Sequence, residues 1–114
     1  MSTTLPFSST RREGNFIFLS GQIGLVNGKL VSEDVKEQTR QAIKNIISIL
    51  EEQGTSLIKV IDVCAFLTNQ DDYPSFNEVY IEFFKDPFPT RTAVTVKSLP
   101  LGAKVELKVI AQIR

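Results

Sequence analysis

The sequence predicts an α+β two-layer sandwich, a mixed sheet with two helices packed on one face. Three observations carry that expectation. Residues 33–53 repeat apolar side chains at spacings of three and four, the mark of a helix with one buried stripe. Residues 105–113 alternate apolar and polar with period two, the mark of a strand buried on one side. Further strand-like and helix-like stretches alternate around these two in a chain of 114 residues, a length that suits one domain spanning 1–114.

Taken in order, Phe16-Ile-Phe-Leu-Ser20 is introduced by Gly14-Asn15 and ended by Gly21, and reads as a buried strand. Asn27-Gly28 between Leu25-Val26 and Leu30-Val31 predicts a hairpin or tight reversal. In the helix at 33–53, Val35, Thr39, Ala42, Ile43, Ile46, Ile49 and Leu50 form the stripe. Ser32 or Asp34 caps its start, Asp34 with Glu37 has capping-box spacing, and Gly54 supplies the left-handed residue that ends it. Val60 to Thr68 is β-branched and almost continuously apolar, which predicts a strand covered on both faces.

A second helix is expected from about Tyr73 to Phe84, with Phe76, Val79, Tyr80 and Phe83 at helical spacing. Asp86-Pro-Phe-Pro89 breaks it, because proline lacks an amide proton and restricts the residue before it. A strand over 92–96 and the alternating strand at the C-terminus complete the set, joined by Ser98 to Gly102. Two helices cover one sheet face only, so a neighbouring subunit is the natural cover for the other, and residues from two chains then share a seam.

Composition excludes several classes of chemistry. Lys plus Arg and Asp plus Glu each number 13, with no run of like charge, which disfavours nucleic acid and anionic membranes as partners. There is no histidine, so Ser-His-Asp and Cys-His activation are excluded and the commonest zinc ligand is missing. The single cysteine, Cys64, rules out an internal disulfide or a thiolate metal site within one chain. It reads as a small buried hydrophobe. Residues Met1 to Pro6 lack the apolar core of a signal peptide, and no stretch approaches the roughly 20 apolar residues that span a bilayer, so a cytoplasmic protein is expected.

Catalysis in such a chain relies on carboxylates, arginine or lysine, hydroxyls, backbone and water. Arg91 follows Pro89-Thr90 at the mouth of a strand, and its fork suits a carboxylate; on the residue alone, a solvated arginine is the commoner reading. Glu106 lies on the polar side of the last strand. It is either part of a charge ladder with Lys104 and Lys108 or a water-activating carboxylate raised in pKa by an apolar cleft. Asn77, Tyr73 and Tyr80 read as packing or surface residues, and the glycine of Ser20-Gly21-Gln22 permits close approach to the backbone.

Together these segments resemble the RidA/YjgF family from about Pro6 to Ile113. The resemblance rests on Pro6-Phe-Ser8, Phe18-Leu-Ser-Gly-Gln-Ile23, Gln38-Thr39, Phe76-Asn-Glu-Val-Tyr80, Phe88-Pro-Thr-Arg-Thr92, Leu99-Pro100 and Val105-Glu106 in that order. It implies a chorismate-mutase-like fold, a homotrimer with clefts between subunits, and no cofactor. It implies hydrolytic deamination of 2-imino or enamine acids, of the 2-aminoacrylate and 2-iminopropanoate type, to 2-oxo acids and ammonia. Arg91 would hold the substrate carboxylate and Glu106 the attacking water, while Gly21 and Asn77 line the cleft. Two positions depart from the family pattern. Phe7 stands where a tyrosine is usual, giving the substrate an apolar wall, and Ala93 stands where cysteine is frequent. With those polar groups gone, a noncatalytic member that binds 2-oxo or amino acids is the alternative.

Overall fold

The computed structural model describes residues 5–113. Its strands are β1 (Thr10–Glu13), β2 (Phe16–Leu19), β3 (Leu25–Val26), β4 (Lys29–Leu30), β5 (Val60–Leu67), β6 (Thr90–Thr95) and β7 (Val105–Gln112). Helix α1 (Val35–Glu52) lies between β4 and β5, and α2 (Tyr73–Phe83) between β5 and β6. Five strands form one sheet in the order β1-β2-β7-β5-β6, and β3 and β4 make a separate ribbon. β5 and β6 run parallel with α2 as their crossover, while the other neighbours are antiparallel. This is the expected α+β sandwich with a mixed sheet.

The pleat sorts the side chains. Ile17 and Leu19 from β2, Val63, Ala65 and Leu67 from β5, and the odd-numbered residues of β7 from Val105 to Ala111 face the helices, none more than 1% exposed. Ala42, Ile43, Ile46 and Leu50 of α1 meet them, fully buried, and Phe76 and Val79 of α2 do the same. Ile49, expected on the stripe, is only partly buried, and Gln38 is buried in its place. On the outer side Arg40 bridges the helices, pairing with Glu37 of its own helix and with Glu82 of α2.

Local signals decide the boundaries. Asp34 caps α1 by accepting from the Lys36 amide at 3.2 Å. Glu37 does not close a capping box, because Arg40 takes its carboxylate. Gly54, at φ 81°, follows the end of α1 as its sequence implies. Asn27 and Gly28 both take positive φ, 53° and 79°, and turn β3 into β4.

Three expectations need correction. β1 was not anticipated: Thr10-Arg-Arg-Glu13 has no apolar alternation, and it becomes a strand by pairing with β2 across the Gly14-Asn15 turn. β2 ends at Leu19 and is buried on one side only, since Phe16 and Phe18 each remain 39% exposed. Among the described residues β5 is likewise covered on one side. Asp62, Cys64 and Phe66 line its open face, half-buried, so Cys64 is not the fully buried hydrophobe the sequence suggests.

Gln38 ties the two layers together. Its Nε2 donates to the Ser32 carbonyl at 2.8 Å, and its Oε1 accepts from the Lys104 amide at 2.8 Å, just ahead of β7. Gln38→Leu keeps the volume but strands a backbone donor and an acceptor. The expected cost is about 2 kcal/mol, read by urea denaturation at fixed protein concentration; an unchanged midpoint would show the tether to be dispensable.

Candidate functional site

Arg91 is the second residue of edge strand β6 and pairs with Val63, so its side chain leaves the sheet on the helical side. Its Nη1 donates to Asn77 Oδ1 of α2 at 2.8 Å. The guanidinium carbon lies 4.8 Å from the centre of the Tyr80 ring and 5.5 Å from that of Phe76. Arg91 itself is exposed, at the rim of a hollow of about 290 Å³ that Asn77, Tyr80, Ile81, Phe88 and Pro89 also line. Ala93 follows two residues along on the same side of β6, partly buried against the core.

Glu106 occupies a different place. It pairs with Phe66 and therefore faces the open side of the sheet. Its carboxylate rests against Gly21: a Cβ built on that glycine would lie 1.9 Å from Oε2 and 2.8 Å from Cδ. The constraint on Gly21 is space, not backbone conformation. Ser20 and Gln22 on either side use their amides in backbone bonds to Ser9 and Leu107, and among the described residues no bond uses that of Gly21.

The segment beyond is pinned to α1, where Asn45 Nδ2 donates to the carbonyls of Ile23 and Leu25. Gly24 lets it approach, since a Cβ there would meet the Gln38 carbonyl oxygen at 2.6 Å. The resulting cleft, about 490 Å³, is walled by Phe7, Ile23, Leu25 and Leu101 around Ser20, Gly21, Pro100 and Glu106. Burial among these apolar groups raises the Glu106 pKa above the ordinary carboxylate value. Among the described residues neither Lys104 nor Lys108 pairs with it, so the charge ladder is not formed.

One chain thus gathers Phe7, Gly21 and Glu106 into one group and Arg91 and Asn77 into another, with Ala93 packed against the core and outside the lining of either hollow. It does not bring the two groups together. Arg91 and Glu106 leave opposite faces of the sheet, on β6 and β7, with β5 between them. Ile23, Leu25 and Leu101 were not foreseen as lining residues. The left-handed φ of Leu101, 57°, holds an exposed leucine at the rim, and nothing in the sequence signals that conformation. No cluster of three or more metal-ligating side chains forms among the described residues.

The fold and these two groups define a class: a small α+β domain with an arginine at one sheet edge and a desolvated carboxylate on the uncovered face. The family model described as Endoribonuclease L-PSP matches residues 1–113, and the chain belongs to that family, which the sequence resembles under the names RidA and YjgF. The 2-iminobutanoate/2-iminopropanoate deaminase of Dermatophagoides farinae is 36% identical over 110 residues, covering 95% of this chain and 86% of the relative. Protein mmf1, mitochondrial, of Schizosaccharomyces pombe is 40% identical over 114 residues, covering 97% of this chain and 70% of the relative.

Among solved structures, that of Escherichia coli TdcF with bound serine superposes with a TM-score of 0.88 at 33% identity, covering 96% of this chain and 90% of the other. Because one relative is named as mitochondrial, membership does not fix a compartment. Among the described residues no helix is long and apolar enough to cross a membrane.

Two outcomes test the Glu106 geometry. Gly21→Ala is expected to keep the fold, because the side-chain end of Glu106 swings away, and to displace the carboxylate; a crystal structure with an unmoved carboxylate would contradict this. The second concerns pH. A carboxyl raised in the folded state adds stability below its ordinary pKa, and that stability is lost as pH rises through the raised value. Glu106→Gln is therefore expected to melt above wild type at neutral pH, with the gain vanishing in acid. A gain independent of pH would place its origin elsewhere.

Proposed function

We propose that this protein hydrolyses 2-imino acids and their enamine tautomers, of the 2-iminopropanoate and 2-aminoacrylate type, to 2-oxo acids and ammonia. The observation that carries the reading is Glu106: a carboxylate laid against Gly21 in an apolar cleft, with a raised pKa. A carboxylate raised above its ordinary pKa by burial is a better proton acceptor, as a group that takes and returns a proton must be. The name of the Dermatophagoides relative supports the reaction class.

The assembly proposed is the homotrimer that the resemblance implies, each chain acting as one domain over residues 1–114. In it the Arg91 group of one chain and the Glu106 group of its neighbour share a cleft, which gives two groups on opposite faces a common substrate. The uncovered sheet face supports such contacts. Phe16, Phe18 and Val94 stand about two-fifths exposed there, beside half-buried Cys64, Phe66 and Ile110.

The chemistry needs no covalent intermediate and no cofactor. Arg91 binds the substrate carboxylate and so orients the C=N group. Water attacks the imine carbon while Glu106 takes its proton. That proton passes to the nitrogen, giving a carbinolamine. Glu106 then carries the proton of the new hydroxyl to the amino group, the C–N bond breaks with its electron pair going to nitrogen, and ammonia leaves as the carbonyl forms. The Gly21 amide is available to the developing oxygen. Asn77 lines the cleft, Phe7 gives it an apolar wall, and Ala93 leaves room where the family often has a thiol. The substrate is a small anion, and the net charge of zero argues against nucleic acid as a partner.

A noncatalytic binder of 2-oxo or amino acids is the second reading. Phe7 and Ala93 favour it by removing two polar groups, and the serine bound to Escherichia coli TdcF is a small carboxylate ligand in a relative. A coupled assay separates the two. A pyridoxal-phosphate dehydratase or an amino-acid oxidase generates the imine, and 2-oxo acid release is followed. Wild type is expected to accelerate release and Arg91→Ala to abolish the acceleration with its fold intact. Glu106→Gln is expected to slow turnover about 100-fold or more while still binding 2-oxobutyrate. Full activity in Arg91→Ala sinks the assignment, whereas binding without turnover in wild type transfers it to the second reading.

A further inference from the structure

We infer that Tyr80 is the positioning residue of Arg91, its ring face serving as the platform on which the guanidinium is held for a carboxylate. The inference rests on the reading of Arg91 as the carboxylate-binding group. Arg91 needs such support, because it stands exposed on an edge strand and, among the described residues, only Asn77 hydrogen-bonds to it. One hydrogen bond at Nη1 leaves a long side chain free to pivot about that contact. A second constraint from another direction fixes the plane of the fork.

Tyr80 is built to supply it. The side chain is 5% exposed, and its ring stacks on Phe84 with centroids 4.3 Å apart and planes at 20°. On the other side Phe76 lies 5.6 Å away, tilted by 46°. Phe76 and Tyr80 lie one turn apart on α2 and Phe84 follows just past its end, so each ring holds the next. Arg91 lies 4.8 Å from the centre of the Tyr80 ring, within the range where the electron-rich face attracts a cation. Nη1 is taken by Asn77 and one face of the guanidinium is covered. Nε and Nη2, without partners among the described residues, form the edge that a carboxylate engages with two parallel bonds.

The Tyr80 hydroxyl has a different standing. It is buried with no hydrogen-bond partner among the described residues. Removing it breaks no bond, so the ring and the hydroxyl separate experimentally: Tyr80→Phe keeps the platform, and Tyr80→Met fills the volume without a π face.

The test begins on the unliganded protein by NMR of the Arg91 Nε–Hε group. Wild type and Tyr80→Phe are expected to show it shifted upfield by the ring current, and Tyr80→Met to lose most of that shift. An unshifted resonance in wild type overturns the inference without reference to any ligand. Calorimetry with 2-oxobutyrate follows on the same assembled variants and Arg91→Ala. Tyr80→Phe is expected within about twofold of wild-type affinity and Tyr80→Met about tenfold weaker, with KM moving by more than kcat. Equal loss in the phenylalanine and methionine variants, or wild-type affinity in the latter, also overturns it. Wild-type affinity in Arg91→Ala would instead strike at the carboxylate-binding reading, with the NMR signature still deciding whether Tyr80 holds Arg91.

Discussion

The inward side chains of β2, β5 and β7 close against α1 and α2 with almost no exposure, and everything else in the molecule is arranged around that contact. Apolar burial of this kind is the dominant favourable contribution to folding. Because both helices lie on the same side, it also assigns every strand residue to one of two environments. Residues that meet the helices are locked in the core. Their neighbours in sequence face outward, and their surroundings depend on loops and on whatever covers the open face.

Arg91 and Glu106 show what this assignment does to charged groups. Arg91 sits on the helical side but at the edge, where the sheet ends and α2 supplies aromatic faces and an amide in place of a closed core. A guanidinium tolerates such a place because it is weakly hydrated and stacks well. Glu106 sits on the open side, where a solvated carboxylate is the ordinary expectation. The segment from Ser20 to Leu25, pinned on α1 through Asn45, folds over it and makes the place apolar. A single glycine allows the carboxylate to lie there.

Much of the fold is legible in the amino-acid order, for a physical reason. α1 and β7 are long enough for their periods to stand out, and each buries one whole face, so the pattern repeats without interruption. Turns were legible where a residue type answers a conformational need, as Asn27-Gly28 and Gly54 do. β1 was not. Its residues are polar because it is an edge strand, and its pairing is supplied by β2, a partner distant in character though near in sequence. β2 and β5 looked fully buried because an uncovered face that carries Phe16, Phe18, Cys64 and Phe66 has the same composition as a covered one.

The sequence by itself determined the α+β class, the helix stripes and most strands, and singled out Arg91 and Glu106 as candidates, since each of these depends on local period or on residue type. Only the tertiary structure decided that Gly21 yields its space to Glu106, that Tyr80 lies beneath Arg91, and that the two groups leave opposite faces of one sheet. Those relations join residues 85 and 11 positions apart, and opposite faces of two strands separated by a third. No period along the chain encodes them, because they arise when the register of β5, β6 and β7 sets which side each residue takes.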